Sequence, residues 1–224
     1  MVNHQLFFSH SIATNRKTMS PAKRDTENKI LEAARKVFFR KGMEGARMQE
    51  IADEAGINKA LLHYYFRSKE KLFRKIYSEA VEQFMPQVNT MLENPQIPLN
   101  EKIQIFVDMF IWLVYRNPFL PGFIIQELQR NPESFQQMME NHKVDTTPLQ
   151  QQIEQEINMG NMRPITAGEL IINLVSLCVL PIMIKPVLEN QTEYNGEDEF
   201  KEVLEARKKS VVDFMLNALF KADS

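Results

Sequence analysis

Apolar residues in this chain recur at intervals of three and four, the period of helices that bury one face. Ile30, Leu31, Ala34, Val37 and Phe38 mark a first helix, capped by Thr26 and stopped at Gly42. Two short segments follow, roughly 47–55 and 58–65. Ser68 opens a long fourth helix through Phe73, Ile76, Tyr77, Ala80, Val81 and Phe84 to about Glu93. Pro86 lies inside it, where a kink or break is expected. Leu99–Arg116 is amphipathic, with Ile103, Phe106, Phe110, Leu113 and Val114 inward. Pro118–Arg130, Pro132–His142 and Pro148–Gly160 are shorter helices, each with a proline near its first turn. Thr166–Glu189 and Glu197–Lys221 make two final long helices. The alternation of a strand is nowhere visible, and neither is a repeat. The fold class expected is all-α.

The stretch from Met48 to Arg67 (MQEIADEAGINKALLHYYFR) carries the sharpest spacing. It predicts two short helices joined by a tight turn, the unit that lays its second helix in the DNA major groove. Ala52 is small enough for the helices to pack closely. Gly56 falls where the chain must turn through positive φ. Ile51, Ala55, Ile57, Leu62 and Tyr65 fill inward positions, and Asn58 offers its side-chain oxygen to the free amides opening the second helix.

Charge strengthens this reading. The net charge of −2 hides an asymmetry: residues 1–75 carry 16 Lys and Arg against 8 Asp and Glu, the remainder 11 against 21. A basic head suits a polyanion, and an acidic body stays away from it. Cys178 is alone, so an intramolecular disulfide is impossible and a reducing cytoplasm is the expected location. Residues 1–20 have no secretory signal pattern and are expected to be a flexible extension, with Met19 an alternative start to Met1. The most apolar run, Leu170–Leu188, is interrupted by Asn173, Pro181, Lys185 and Pro186, so a buried helix explains it better than a membrane span.

With that order visible, the chain resembles the TetR family of transcriptional regulators. The residues carrying the resemblance run from Ile30 to Gly42 (ILEAARKVFFRKG), from Glu50 to Ile57 (EIADEAGI) and from Leu62 to Leu72 (LHYYFRSKEKL). The likeness is specific over Thr26–Phe73 and architectural beyond. It implies a dimeric, all-helical repressor whose C-terminal half holds a small-molecule pocket and a dimer interface. One departure is Arg47, which stands where the family usually places a small hydroxyl residue that caps the second helix and touches phosphate.

The expected organisation is a disordered extension over 1–22, a helix-turn-helix DNA-binding domain over 23–72, and a helical effector-binding and dimerisation domain over 73–224. Expected DNA-binding residues are Arg47, Asn58, Lys59, Ala60, His63, Tyr64 and Lys69. Lys59 suits guanine O6 or N7, and Ala60 a thymine methyl. Tyr64 suits a phosphate oxygen better than a base edge, and Arg47 offers a phosphate contact in place of the missing hydroxyl. Lys69 matches the family's phosphate-contacting lysine, beside the free amides of the fourth helix. Asn58 serves equally well as a cap alone, and His63 as a surface histidine. Tyr65 and Phe66 are expected in the core. Lys23 and Arg24 are either a DNA-brushing arm or a solvated one.

In the body, Phe106, Met109, Phe110, Phe123 and Met138 make a soft, aromatic-rich interior that suits an apolar ligand, with core packing as the plainer explanation. Asn173 and Cys178 are polar anchors for that ligand or satisfied interface residues. The homodimer is expected through the helices of 166–189 and 197–221, with Leu170, Leu174, Leu177, Val203, Val211, Phe214, Met215 and Leu219 carrying it. No cofactor, metal site or catalytic residue is expected: His4, His10, His63 and His142 lack ligand spacing, and a Gly-rich phosphate loop and a nucleophile elbow are both missing. Two rivals stay open, a DNA-binding architectural or constitutive regulator without ligand, and a helical protein-interaction module.

Overall fold

The computed structural model describes residues 21–130, 133, 140–185, 187 and 197–221. Among the described residues the helices are α1 (Pro21–Gly45), α2 (Met48–Glu54), α3 (Lys59–Tyr65), α4 (Lys69–Glu93), α5 (Leu99–Arg116), α6 (Leu120–Arg130), α7 (Thr147–Asn158), α8 (Ala167–Met183) and α9 (Glu197–Leu219). The fold is all-α; the β-type pairing among these residues is an isolated bridge between Met162 and Phe220. The extension over 1–20, Met138 and most of the helix expected at Pro132–His142 lie outside the described residues. The chain divides into two compact units, Met1–Glu79 and Ala80–Ser224, and the division falls within α4.

In the first unit α1, α2 and α3 close over Ile30, Ala34, Phe38, Ile51, Ala52 and Leu62, joined by Leu72, Phe73 and Ile76 of α4, all essentially buried. Phe38 and Phe73 meet edge to face, centroids 5.1 Å apart. Thr26 does not cap α1. The helix already runs at Pro21, whose fixed φ suits a first turn, and Thr26 Oγ1 instead donates to the Ala22 carbonyl at 3.0 Å. Gly42 does interrupt the helix, with φ 66° and ψ 178°. Ser68 opens α4 by accepting from the Lys71 amide at 3.3 Å. No break occurs at Pro86, where α4 continues to Glu93; proline costs a helix one bond and need not end it when neighbours hold both halves.

In the second unit α5 is buried on both sides of the expected stripe. Leu99, Ile103, Phe106, Val107, Ile111 and Val114 face in, while Phe110 and Leu113 are half-buried at the edge. α6 starts at Leu120 rather than Pro118, because Asn117 ends α5 and its carbonyl accepts from the Leu120 amide at 2.9 Å. α8 begins with a reciprocal cap: Thr166 Oγ1 accepts from the Glu169 amide while the Glu169 carboxylate accepts from the Thr166 amide. α9 is clasped at its end, where Arg163 N–H donates to Leu219 O and Lys221 N–H to Asn161 O.

Pro181 lies inside α8 and has no amide to donate to Leu177 O, four residues earlier. Arg207 of α9 takes that place. Its Nε and Nη2 both donate to Leu177 O, at 3.2 and 2.9 Å.

Part of the expected dimer surface is corrected here. Leu170, Leu174, Val211, Met215 and Leu219 are buried within this chain's own core, and Leu177 and Val203 are half-buried. The apolar side chains that α8 and α9 leave outside are Ile172 (65% exposed), Leu180 (59%), Met183 and Phe214 (61%). α8 is apolar around most of its circumference, so periodicity alone does not say which face the chain buries itself.

Candidate nucleic-acid interface

The turn between α2 and α3 is a Schellman closure. Ile57 N–H donates to Ala52 O at 3.0 Å and Gly56 N–H to Asp53 O at 3.1 Å, with Gly56 at φ 66°. That conformation is why glycine stands there. Asn58 then accepts from the Leu61 amide at 2.8 Å, fixing the first turn of α3. Ala52 is fully buried, while Ala55 and Ile57 are half-buried.

Leu62 and Phe66 of the second segment point into the core; Tyr65 is only half-buried and meets Tyr64 edge to face at 5.5 Å. The opposite side presents Asn58, Lys59, Ala60, His63 and Tyr64 to solvent, Tyr64 at 68% exposure. Arg47 is exposed at the N-cap position of α2 and makes no side-chain cap bond. Lys69 is half-buried and its Nζ reaches the Glu44 carbonyl at 3.3 Å, so the side chain turns toward the α1–α2 loop. His63 Nδ1 lies 3.3 Å from Arg67 O. A carbonyl oxygen only accepts, so this contact is a hydrogen bond when Nδ1 carries a proton.

Two of α2's carboxylates, Glu50 and Glu54, are paired to α1. Arg40 and Lys36 meet Glu54 at 2.6 and 3.5 Å, and Lys41 meets Glu50 at 2.6 Å. The Lys41 ammonium holds the Glu50 carboxyl below its usual range, and the Arg40 guanidinium does the same for Glu54. These acids are thereby neutralised while the cations on the α3 side are left for a polyanion. Spacing alone does not single out this ion-pair network, although Glu50 and Glu54 fall four apart within the motif stretch.

In the body, Phe106 and Phe110 stack with centroids 5.4 Å apart and planes 9° from parallel, and Phe84 stands edge-on to both at 6.4 and 5.9 Å. Met109 packs half-buried beside them, and Phe123 of α6 is also half-buried. Asn173 does not join this interior: it is exposed on α8, as is Ser176. Cys178 is sealed in the core, and burial pushes its thiol up to about 12, which suits packing and not a polar anchor. Among the described residues there is no His, Cys, Asp and Glu group fit for a metal ion, and no helix long and apolar enough to cross a membrane.

A glycine-turned, asparagine-capped pair of helices with a polar, cationic outer side is the helix-turn-helix arrangement, the unit that lays its second helix in the DNA major groove. Residues 30–76 match the family described as bacterial regulatory proteins, tetR family. The HTH-type transcriptional repressor NicS of Pseudomonas putida is 35% identical over 97 residues, 42% of this chain and 43% of that protein. The probable HTH-type transcriptional regulator YttP of Bacillus subtilis is 29% identical over 114 residues, 46% and 55% of the two chains. The chain thus spans about half the length of these relatives. HlyIIR, a hemolysin II transcriptional regulator, shares the fold at 20% identity and a TM-score of 0.56, over 89% of this chain and 99% of that one. FadR of Bacillus subtilis, solved with stearoyl-CoA, does so at 16% identity and 0.56, over 85% and 98%. Over residues 30–76, then, this chain is similar to the TetR family, and the relatives it matches there are named as transcriptional regulators.

Proposed function

We propose that this protein is a sequence-specific transcriptional repressor that binds a near-palindromic operator as a homodimer and is released by a small apolar ligand. The observation that carries the proposal is the outer side of α3. Asn58 caps the helix, and Lys59, Ala60, His63 and Tyr64 stand together in solvent. Lys59 reads guanine, Ala60 a thymine methyl, and Tyr64, Arg47 and Lys69 serve phosphates. Repression is the activity named for NicS, which matches the head.

Dimerisation is supported by the exposed apolar residues Ile172, Leu180, Met183 and Phe214, which a monomer would leave in water. Two recognition helices would then meet half-sites roughly 34–36 Å apart. The ligand is supported by the soft interior of Phe84, Phe106, Phe110 and Met109; FadR, with the same fold, is solved with a long acyl chain bound. A ligand that weakens DNA binding a hundredfold supplies about 2.7 kcal/mol of coupling. A regulator of this kind works in the cytoplasm, beside the chromosome.

Selection of bound sequences from random duplex DNA, read at two salt concentrations, tests the proposal. Enrichment of a two-fold symmetric motif with steep salt dependence is expected. A folded protein that enriches nothing would refute it.

A further inference from the structure

Among the described residues Lys102 is the charged side chain that is buried. It lies in α5 at 2% exposure, and its Nζ donates to Leu92 O, at the C-terminal end of α4, at 2.9 Å. An ammonium has three donors, and no carboxylate among the described residues pairs with this one. A buried cation normally sits opposite an anion, because one neutral acceptor replaces only part of its hydration. Burial accordingly pushes the Lys102 amine below its usual range.

Its position along α5 gives that charge a direction. Phe106 and Phe110 follow at one and two turns on the same side of the helix, about 12 Å from Lys102 to Phe110 along the axis. Their rings are stacked, and Phe84 closes on both. Lys102 and Phe106 are buried, whereas Phe110 and Met109 are half-buried. A single side of one helix therefore runs from a cation with no carboxylate partner among the described residues to an apolar aromatic stack whose outer ring is half-buried.

We infer that the body binds an amphipathic carboxylate, whose anionic head pairs with Lys102 and whose alkyl tail lies along Phe106 and Phe110. The inference rests on the reading of the body as a site for an apolar effector and adds the charge that such an effector carries. It also assigns Lys102 two competing partners. The ammonium that finishes α4 at Leu92 O is the one the carboxylate would draw on, so binding alters the hold on the end of α4.

Decanoate and decanol share a tail and differ in the head, and Trp112, the single tryptophan, lies on α5 as a fluorescence reporter. Calorimetry and Trp112 fluorescence at pH 7 should give decanoate a Kd at least tenfold tighter than decanol in the unaltered full chain. Lys102→Met should abolish that preference while decanol binding stays within about threefold, and Lys102→Arg should retain part of it. Phe110→Ala should weaken both ligands alike. Equal affinity of the unaltered protein for the two would overturn the inference, as would no binding of decanoate at millimolar concentration or an undiminished preference in a folded Lys102→Met. The comparison of ligands on the unaltered chain needs no variant to fold. DNA selection by the same preparation separates failure of this inference from failure of the regulator reading, since a chain that selects an operator but ignores decanoate refutes only the former.

Discussion

Replacing Arg207 by alanine tests whether the guanidinium truly substitutes for the amide that Pro181 lacks. Both of its bonds go to Leu177 O, the carbonyl that an ordinary residue at 181 would satisfy from within α8. A charge-assisted bond to a carbonyl that is then left unpaired is worth about 1.5–3 kcal/mol. Arg207 and Leu177 are half-buried, so water recovers part of that, and a loss of about 1–2 kcal/mol is expected. In a chain of this size that is a fall in Tm of about 2–8 °C. The decisive comparison is a double-mutant cycle with Pro181→Ala, which restores an amide aimed at the same oxygen. In that background Arg207→Ala should cost at least about 1 kcal/mol less than in the native one. The four proteins are compared by urea unfolding followed by circular dichroism. Equal losses from Arg207→Ala in both backgrounds would show that the arginine acts elsewhere, and the reasoning would fail.

Gly56→Ala should destabilise the head by about 1–2 kcal/mol, measured by thermal unfolding. An added methyl meets nothing within 4 Å, so the whole cost comes from φ 66°, and Gly56→Asn should lose less. The lowered Glu50 and Glu54 carboxyls bind protons more weakly folded than unfolded. Their stabilisation is therefore complete above the usual value of 4.5 and fades as pH falls through their lower folded values. Urea midpoints from pH 7 to 3 should drop in that window, and less so in Glu54→Gln. Cys178 should resist iodoacetamide at pH 8 in the native protein and react once urea unfolds it; fast native labelling would contradict its burial. Lys69→Ala should weaken binding to all DNA and flatten its salt dependence, while Lys59→Ala relaxes preference at one operator position. Equal losses on all sequences for both would remove that division of labour.

The head was legible because its determinants are local. Gly56, Asn58 and Ser68 each act on backbone within three or four residues, so their roles follow from spacing alone, and the turn and both caps stand where the pattern puts them. Thr26 misled because a hydroxyl caps a helix or bonds back one turn within it, and the choice depends on where the chain enters. The body was less legible for a tertiary reason. α8 is apolar on nearly all sides, so which residues face α5 and which face water is decided by packing partners that no period encodes. The same applies to Lys102, which reads in sequence as one more solvated charge on an amphipathic helix. Only the end of α4 against it reveals a buried cation.

α4 contributes residues to both compact units. α4 is held near each end by a lysine on a main-chain carbonyl: Lys69 on Glu44 O near its start, and Lys102 on Leu92 O near its finish. Each bond is one an anion can take over, a DNA phosphate at Lys69 and a ligand carboxylate at Lys102. Neither exchange transmits anything unless the helix has two states in which the anions bind unequally. Given two such states, the coupling is the same in both directions, so a carboxylate that lowers operator affinity tenfold must itself bind tenfold more weakly to the operator complex. Titrating decanoate against protein saturated with operator therefore measures from the ligand's side the coupling that DNA release measures from the other. A loss of operator affinity that levels off at saturating decanoate fits coupling through α4, whereas a loss that keeps growing with decanoate concentration would mean that the carboxylate competes with DNA at Lys69.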